Sequence, residues 1–593
     1  MTPWEAGGAV SLPEVQRAVA AAAGRQPGTL LLKNARVLNV FNLAVEETHV
    51  LVSGRLIAGV GDAYENAAAD ETLDLQGCHL APGLIDGHVH IESSLVTPAS
   101  YAQGVVPRGV TGVVCDPHEI GNVAGMPGIN WLLDLSRNLP LDVWFTAPSC
   151  VPATSLETAG AEIGLTDIAE LLAHPRVVGV AEIMSFPAVI AGDEQNLKKA
   201  LLAERHGKTP EGHAPAVGGT ELQAYLASGI ASDHEATSEA EGREKLRHGA
   251  FLMVREGSVT RNFDALLPLL KLEHLDRIGF VTDDRLPHDL LDEGGVDFLV
   301  RRAIQAGVNP TLAVRFGSYN NARHYRLPRR GAVAPGFLAD LIVLDDLAEF
   351  AAHAVFKEGV RVAEGGRLIA AQTAPVLDDA AVLDSVKLPR LDAATLKIDA
   401  PPHGLVRCIR PVPGQVLTRA QQVRPATLNG EVVADPAHDL AKLVCVERHG
   451  RNGKSSACLV TGFGLSRGAL ASTVGHDHHN LLAVGVTDDD IRAAAERLQS
   501  LGGGLVVVAG GSVLAELRLE YAGLVTASPL EQVRAGLDYL EAAARELGVT
   551  MPAPFMTLSF LGLAVIPELR LTDHGLVDVN TSRLVSAHVE DAP

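Results

Sequence analysis

The stretch Pro82-Gly83-Leu84-Ile85-Asp86-Gly87-His88-Val89-His90-Ile91-Glu92-Ser93-Ser94 decides how the rest of the chain is interpreted. Its apolar run after Pro-Gly predicts a β-strand, in which successive side chains point to opposite faces. His88 and His90 then point the same way, while Val89 and Ile91 point towards a core. Two imidazoles side by side at a strand end are typical of a divalent-metal site. The alternative is a strand with two solvent-facing histidines, and the choice depends on further ligands.

The composition is that of a globular protein with an acidic surface. The chain has 593 residues, of which 47% are hydrophobic and 20% charged, and its formal net charge is -22. We therefore expect a small, neutral or weakly charged substrate and no nucleic-acid partner, because a polyanion would be repelled. The six cysteines include no Cys-x-x-Cys pair, which predicts reduced thiols. Without a basic signal-peptide start or an apolar run of roughly 18 residues, the sequence predicts a cytoplasmic protein and no membrane partner.

Strand-like runs alternate with helix-length amphipathic segments from residue 84 onwards. Eight β-then-α units in about 230 residues are the number and size of a TIM barrel. A doubly wound sheet would carry a Gly-rich phosphate turn after its first strand, and none is present. The eight predicted strands are Leu84–Ile91, Gly112–Asp116, Val143–Ala147, Val177–Ile183, Pro210–His213, Ile230–His234, Phe251–Arg255 and Ile278–Asp283.

The segments around this barrel predict further parts, and the fold class is α/β with added domains. Residues 1–28 predict a helical leader, and residues 29–80 and 331–370 are rich in short strands that we expect to combine into one flanking β-sandwich. The barrel takes residues 81–330, and residues 371–402 form a linker containing proline and aspartate. Residues 403–593 predict an α+β domain, where Ser528-Pro529-Leu530-Glu531 has the pattern of a capping box that begins a helix.

The ends of the predicted barrel strands carry many metal-binding and acid–base side chains. Side chains at the carboxyl ends of barrel strands face one mouth. Four histidines and two carboxylates can therefore meet there, which is what a two-metal site requires. They are His88, His90, Glu182, His213, His234 and Asp283.

These motifs resemble the amidohydrolase superfamily and, more narrowly, its bacterial adenine deaminases. The features found across the superfamily are the His-x-His strand after Pro-Gly, the later single histidines, the last-strand aspartate and the Pro-Gly-x-x-Ala-Asp segment at residues 335–340. Three motifs are narrower, and the similarity covers roughly residues 30 to 580. They are Asp116-Pro117-His118-Glu119, Ala181-Glu182-Ile183-Met184 and His476-Asp477-His478-His479-Asn480.

The resemblance implies hydrolysis of adenine to hypoxanthine and ammonia by hydroxide at a centre of two divalent metal ions per subunit. The ions implied are manganese or iron, with zinc possible for the same ligands. Glu182 matches the bridging position, where many superfamily members use a carboxylated lysine that this strand does not offer. The other matched metal ligands are His88, His90, His213, His234 and Asp283.

The reaction also needs proton transfer, because the amine leaves as ammonia and a carboxylate has to carry the proton of the water to it. Asp283 is the predicted carrier, with its neighbour Asp284 as the alternative last-strand acid. The purine ring nitrogen beside carbon 6 gains charge and needs a donor, for which the sequence does not rank Glu119, Asp116, His118 and Glu256; a salt-bridged rim is the alternative. The predicted catalytic residues are thus Asp283, Glu119 and Asp116, and the predicted substrate-binding residues are His118, Arg255, Glu256, Asp284, His476, Asp477, His479 and Asn480.

Several alternatives stay open at this level. The chain could be another amidohydrolase acting on a different aminopurine or a cyclic amide, or a non-catalytic scaffold with a barrel of this kind. The cluster His476–Asn480 either closes over the mouth and contacts adenine or forms a hydrogen-bonded loop within its own domain, since burial requires its polar groups to be paired. The size of the chain favours a homo-oligomer, with a dimer first.

Overall fold

The computed structural model describes residues 8–372, 375, 377–392, 394–401, 404–413 and 415–589. Residues 1–7 of the predicted leader, Thr373, Ala374, Val376, Ala393 and Pro402 of the predicted linker, and His403, Gly414 and residues 590–593 lie outside the described residues. Within the leader, helix α1 spans Leu12–Ala22 and begins at Ser11, whose backbone N–H donates to the Glu14 carboxylate. None of the described helices combines the length and the apolar character that a bilayer crossing needs.

Residues 28–82 and 341–368 pair into one nine-stranded sheet beside the barrel. The two segments join where β5 pairs with β15, with Leu341 opposite Pro82. Apolar side chains from both segments, among them Leu32, Val50 and Phe356, share one core. The strands are β1 Gly28–Asn39, β2 Ala44–Ser53, β3 Leu56–Val60, β4 Ala69–Asp74, β5 His79–Pro82 and, after the barrel, β15 Leu341–Leu344, β16 Ala352–Lys357, β17 Val360–Glu364 and β18 Arg367–Leu368.

All eight predicted barrel strands are present, and the eighth is divided into β13 and β14. They form parallel ladders of order β10-β9-β8-β7-β6-β14 and β11-β12-β13. Gly212 approaches the next strand so closely that a Cβ there would lie 2.0 Å from the Ser232 carbonyl oxygen. Asn321 connects β6 with β13, because its side-chain amide donates to the carbonyls of Ile85 and Phe280. The strands are β6 Leu84–His90, β7 Val110–Cys115, β8 Asp142–Ala147, β9 Val177–Ile183, β10 Thr209–Gly212, β11 Ser232–Asp233, β12 Phe251–Arg255, β13 Ile278–Val281 and β14 Asp283–Asp284.

The barrel helices lie between and after these strands, and their apolar faces pack on the strands in the largest core of the chain. They are α2 Pro98–Val105, α3 His118–Leu135, α4 Leu165–Ala173, α5 Phe186–Ile190, α6 Glu194–Arg205, α7 Gly219–Ala227, α8 Glu239–Arg247, α9 Phe263–Leu266, α10 Pro287–Asp292, α11 Val296–Gln305, α12 Pro310–Phe316 and α13 Tyr319–His324.

The C-terminal part is α+β, built on an eight-stranded sheet of order β20-β19-β24-β23-β26-β25-β27-β28. Its last long helix begins at Leu530, and the predicted capping box is absent because the Ser528 hydroxyl bonds Thr526 instead. The elements are β19 Val406–Pro411, β20 Thr418–Val423, β21 Ala426–Leu428, β22 Glu431–Val433, β23 Leu440–Val446, β24 Ser455–Thr461, β25 Ala469–Ser472, β26 Leu481–Gly485, α14 Asp488–Leu501, β27 Gly504–Ala509, β28 Ser512–Arg518, α15 Leu530–Glu546, α16 Pro554–Phe560, β29 Leu569–Thr572, β30 Gly575–Asp578 and β31 Arg583–Val585.

Candidate active site

The two histidines at the end of β6 point into the barrel mouth, and each ring is oriented from behind. His88 Nδ1 lies 2.9 Å from Glu211 Oε2, and His90 Nδ1 lies 3.1 Å from the carbonyl oxygen of Asp116. Both partners are acceptors, so each Nδ1 carries the proton and each Nε2 keeps its lone pair for the mouth. Both rings are buried, and the rings meet edge to face with centroids 4.9 Å apart.

Glu182, at the end of β9, lies between two groups of imidazoles and faces each with a different oxygen. Its Oε1 is 3.6 Å from His90 Nε2 and 3.9 Å from His88 Nε2. Its Oε2 is 2.6 Å from His213 Nδ1 and 3.3 Å from His234 Nε2. A carboxylate with one oxygen on each side is the arrangement that can bridge two cations.

Asp283 completes the first of these groups. Its Oδ1 lies 3.1 Å from His90 Nε2 and 3.7 Å from His88 Nε2, while Oδ2 accepts from Arg255 Nη1 at 2.6 Å. Its backbone is left-handed, with φ at 59°, which costs a non-glycine residue about 1 kcal/mol or more. Asp284 also lines the cavity but accepts from the Ser93 hydroxyl, so the structure puts Asp283 and not Asp284 beside the histidines.

These side chains fit a pair of divalent ions by their chemistry. Nitrogen and oxygen donors alternate around two positions, and His88 Nε2 is buried without a hydrogen-bond partner in the described structure. A buried nitrogen lone pair aimed at two carboxylates is costly unless a cation occupies the space between them. Several overlapping groups have ligand atoms close enough to share one ion. They include His88, His90 and Asp283; His88, Glu182 and His234; His213, His234 and Glu235; and His90, Asp116, His118 and Glu182.

A cavity of about 830 Å³ opens on this cluster, and it is lined by the barrel and by the C-terminal part together. The barrel supplies polar groups, including His118, Glu119, Arg255 and Asp284. The C-terminal part supplies an apolar cover that includes Val416, Phe560, Leu563 and Ile566. Cavities of this size, apolar with a few convergent polar groups, are typical of small-molecule sites.

Two histidines of the C-terminal part hold Glu119 at the wall of this cavity. His476 Nδ1 lies 2.5 Å from Glu119 Oε1, and His479 Nε2 bonds Glu119 Oε2. Burial alone would raise the pKa of Glu119, but the imidazoles of His476 and His479 hold it well below its usual range. The ring of His476 stacks on Phe560 at 4.7 Å, so the His476 ring is fixed from both sides.

His118 and Asp116 form a second oriented pair beside the first-strand histidines. His118 Nδ1 lies 2.8 Å from Asp116 Oδ2, and the ring packs against that of His90 with centroids 4.6 Å apart. His118 Nε2 faces the cavity, 3.7 Å from both Glu119 Oε1 and Asp477 Oδ1. Asp116 therefore reaches the cavity only through His118.

Two family models match separate parts of the chain, and curated relatives match nearly all of it. Residues 79–365 match the amidohydrolase family, and residues 415–583 match the adenine deaminase C-terminal domain. An adenine deaminase of Desulfatibacillum aliphaticivorans is 45% identical over 568 residues, which cover 96% of this chain and 98% of that protein. One of Kosmotoga olearia is 41% identical over 572 residues, again 96% and 98%.

This chain belongs to the adenine deaminase family. Among solved structures, an L-hydantoinase (dihydropyrimidinase) of Arthrobacter aurescens is 16% identical with a TM-score of 0.43, covering 58% of this chain and 98% of that one. A beta-aspartyl dipeptidase of Fervidobacterium islandicum is 17% identical with a TM-score of 0.45, covering 59% and 99%. Amidohydrolases are generally metal-dependent, and this adenine deaminase family member carries buried histidine and carboxylate clusters of the matching kind.

Three residues predicted to bind substrate in this adenine deaminase family member lie outside the cavity. Glu256 accepts from Arg302 Nη1 at 2.7 Å and from the Phe263 N–H, on the helix side of the barrel. Asn480 donates to the Thr158 carbonyl at 2.9 Å and receives the Arg448 N–H. His479 lies behind Glu119 and touches the site only through that carboxylate.

Two carboxylates of the site were not among the predicted residues. Glu211 orients His88, and Glu235 lies 3.4 Å from His234 Nε2 while also binding Arg255. Glu211 could have been predicted as a residue of the site, because it lies two positions before His213 and alternation turns both side chains to the same face. Glu235 follows the candidate ligand His234, just after the two-residue strand β11. So short a strand does not allow alternation to predict where the Glu235 side chain points.

Proposed function

We propose that this chain hydrolyses adenine to hypoxanthine and ammonia at a site holding two divalent metal ions. The observation that carries the proposal is the Glu182 carboxylate, whose two oxygens face two separate sets of imidazoles at the floor of a cavity. The substrate follows from the adenine deaminases that match this chain over nearly its whole length.

The residues that would hold the ions are His88, His90, Glu182 and Asp283 on one side, and Glu182, His213 and His234 on the other. When bound, divalent ions lower the pKa of water from about 15.7 towards about 7 and so supply a nucleophile at neutral pH. The mixture of imidazole and carboxylate donors suits manganese or ferrous iron, and also accepts zinc.

Asp283 is the residue best placed to move the proton. Arg255 occupies its Oδ2, which leaves Oδ1 facing the ligand histidines and the cavity. Burial would raise the pKa of Asp283, but Arg255 keeps it well below the usual range, so the carboxylate is ionised before the reaction. We infer that Oδ1 takes the proton of the attacking water and passes it to the leaving amine, which departs as ammonia.

The remaining polar groups bind and orient the purine. His118, held at Nδ1 by Asp116, presents Nε2 to the cavity and is our candidate donor to the ring nitrogen beside carbon 6. Glu119, kept ionised by two histidines, accepts a hydrogen bond from a purine N–H in this scheme. Asp116 would then act by positioning His118, as the aspartate of a His–Asp pair does.

The test is release of ammonia and hypoxanthine from adenine by protein grown in defined medium, with its metal content measured in parallel. A panel of other aminopurines and cyclic amides assayed alongside decides between adenine and the alternative amidohydrolase substrates. Glu182→Ala should lose both metal and turnover, whereas a scaffold protein would keep its behaviour. Turnover of a cyclic amide with none of adenine would overturn the proposal. The cytoplasmic location and the homo-oligomeric, dimeric state stay predictions.

A further inference from the structure

A fully buried arginine, Arg570 on β29, connects the segments that cover the cavity. Its guanidinium has no solvent exposure, and all its hydrogen bonds go to backbone carbonyls. Nε donates to Ile566, Nη1 to Phe560, and Nη2 to Val416, each at 2.7 Å; Nη2 also reaches Pro567 at 3.0 Å. Among the described residues no carboxylate forms an ion pair with it.

Every carbonyl that Arg570 binds belongs to a residue lining the cavity. Val416 comes from the loop before β20, and Phe560, Ile566 and Pro567 come from the end of α16 and the loop after it. We call these two segments, residues 415–417 and 560–567, the roof. Apart from Gln415, the rest of the roof is apolar, with Leu417, Leu563 and Val565 lining the cavity as well.

The roof has little regular structure of its own to fix its shape. Its carbonyls must still be paired when buried, and a planar group with five donors can pair several at once. Burying an arginine without a counter-charge is unfavourable, and burial lowers the pKa of Arg570 to about 9. An apolar residue would avoid that cost, but it would leave the carbonyls of Val416 and Ile566 without their one described donor. The carbonyls of Phe560 and Pro567 also accept from the N–H groups of Leu563 and Thr418.

We propose that Arg570 is a positioning residue that holds the roof over the bound purine. This inference rests on the proposed function. The roof and the candidate metal ligands line the same cavity, so a flat heterocycle bound there would lie against the roof. A rigid apolar cover excludes water from the bound heterocycle and fixes its position, whereas a flexible cover would have to become ordered each time the purine binds.

The experiment compares Arg570→Lys with the matched control Arg176→Lys. Arg176 is another buried arginine that binds a carbonyl and a hydroxyl, Leu133 and Ser136, but neither residue lines the cavity. Lysine keeps the charge and loses the fork, so it cannot span the two roof segments. We expect the KM for adenine to rise on the order of tenfold in Arg570→Lys, with a smaller change in kcat and unchanged metal content, and no such rise in Arg176→Lys.

Each outcome has a defined meaning. Provided that the unsubstituted chain turns over adenine, two results would refute the positioning role. One is the same KM in Arg570→Lys as in the unsubstituted chain, and the other is an equal rise of KM in Arg176→Lys. Failure of the unchanged chain to release ammonia would instead refute the proposed function. If Arg570→Lys does not fold, hydrogen exchange on the unchanged chain replaces it. The amides of Leu561, Leu563 and Ile566 should already be protected without ligand, and protection that appears only when hypoxanthine binds would overturn the inference.

Discussion

Glu211→Gln should weaken metal binding without touching a metal ligand. Glu211 is buried and bonds His88 Nδ1 at 2.9 Å, which fixes the tautomer that leaves Nε2 free for a metal. Replacing the partner behind a ligating histidine typically costs 10- to 100-fold in metal affinity. Glutamine keeps an oxygen that can still accept from Nδ1, so only the charge is lost, and we expect the lower end, about tenfold or about 1.4 kcal/mol.

The assay is a competition titration of the metal-loaded protein with a chelator of known affinity, followed by turnover at saturating metal. Glu256→Gln is the matched control, because Glu256 is also a buried carboxylate near a strand end, but it binds Arg302 and does not line the cavity. Glu211→Gln should recover most of its turnover when metal is added in excess. Equal metal affinity in Glu211→Gln and the unchanged chain would refute the argument that Glu211 sets the tautomer of His88.

Three further outcomes follow from the same geometry. Glu182→Gln should lose at least about half of the bound metal in elemental analysis, since both positions share this residue, and full retention would contradict a bridging role. His479→Gln should move the acid limb of the kcat/KM profile to higher pH. The lowered pKa of Glu119 keeps this carboxylate ionised as the pH falls, and removing one imidazole should raise that pKa. An acid limb that does not move would contradict the role of His479 in keeping Glu119 ionised. Chelation should lower Tm, because an ion that binds only the folded chain at 100 times its Kd adds about 2.7 kcal/mol; equal melting with and without chelator would contradict tight binding.

The barrel and its ligand set could be predicted because both depend on short-range periodicity. Eight apolar runs separated by helix-length segments give the eight parallel strands, and a spacing of two places His88 and His90 on one face. The left-handed backbone at Asp283 interrupts this alternation: Asp283 and Asp284 both line the cavity, and only Asp283 lies beside His88 and His90. Applied to Arg255 and Glu256, alternation would have directed Glu256 away from the mouth, where the structure has it bound to Arg302.

What the sequence did not reveal depends on contacts between distant segments. Glu119 meets His479 across 360 positions, and no local pattern indicates that a polar cluster between two apolar runs contacts the barrel mouth. The predicted capping box at Ser528 failed for a local reason. The Thr526 hydroxyl donates to the Ser528 hydroxyl and accepts from the Ser528 N–H, the two groups that a capping box would use.

The C-terminal part therefore has to be considered as half of the site and not as an appended domain. The barrel supplies the candidate metal ligands and Glu119, but a buried carboxylate with no partner would take up a proton. His476 and His479 both bond the Glu119 carboxylate, and Glu119 raises the pKa of His476 to about 9 although burial opposes this, so His476 supplies the charge that keeps Glu119 ionised. The same part of the chain supplies the roof. A barrel without residues 403–593 would keep the six candidate ligands, and it would lack both the partners of Glu119 and the apolar cover that excludes water. We therefore expect metal binding to depend on the barrel alone, and turnover of adenine to depend on both parts together.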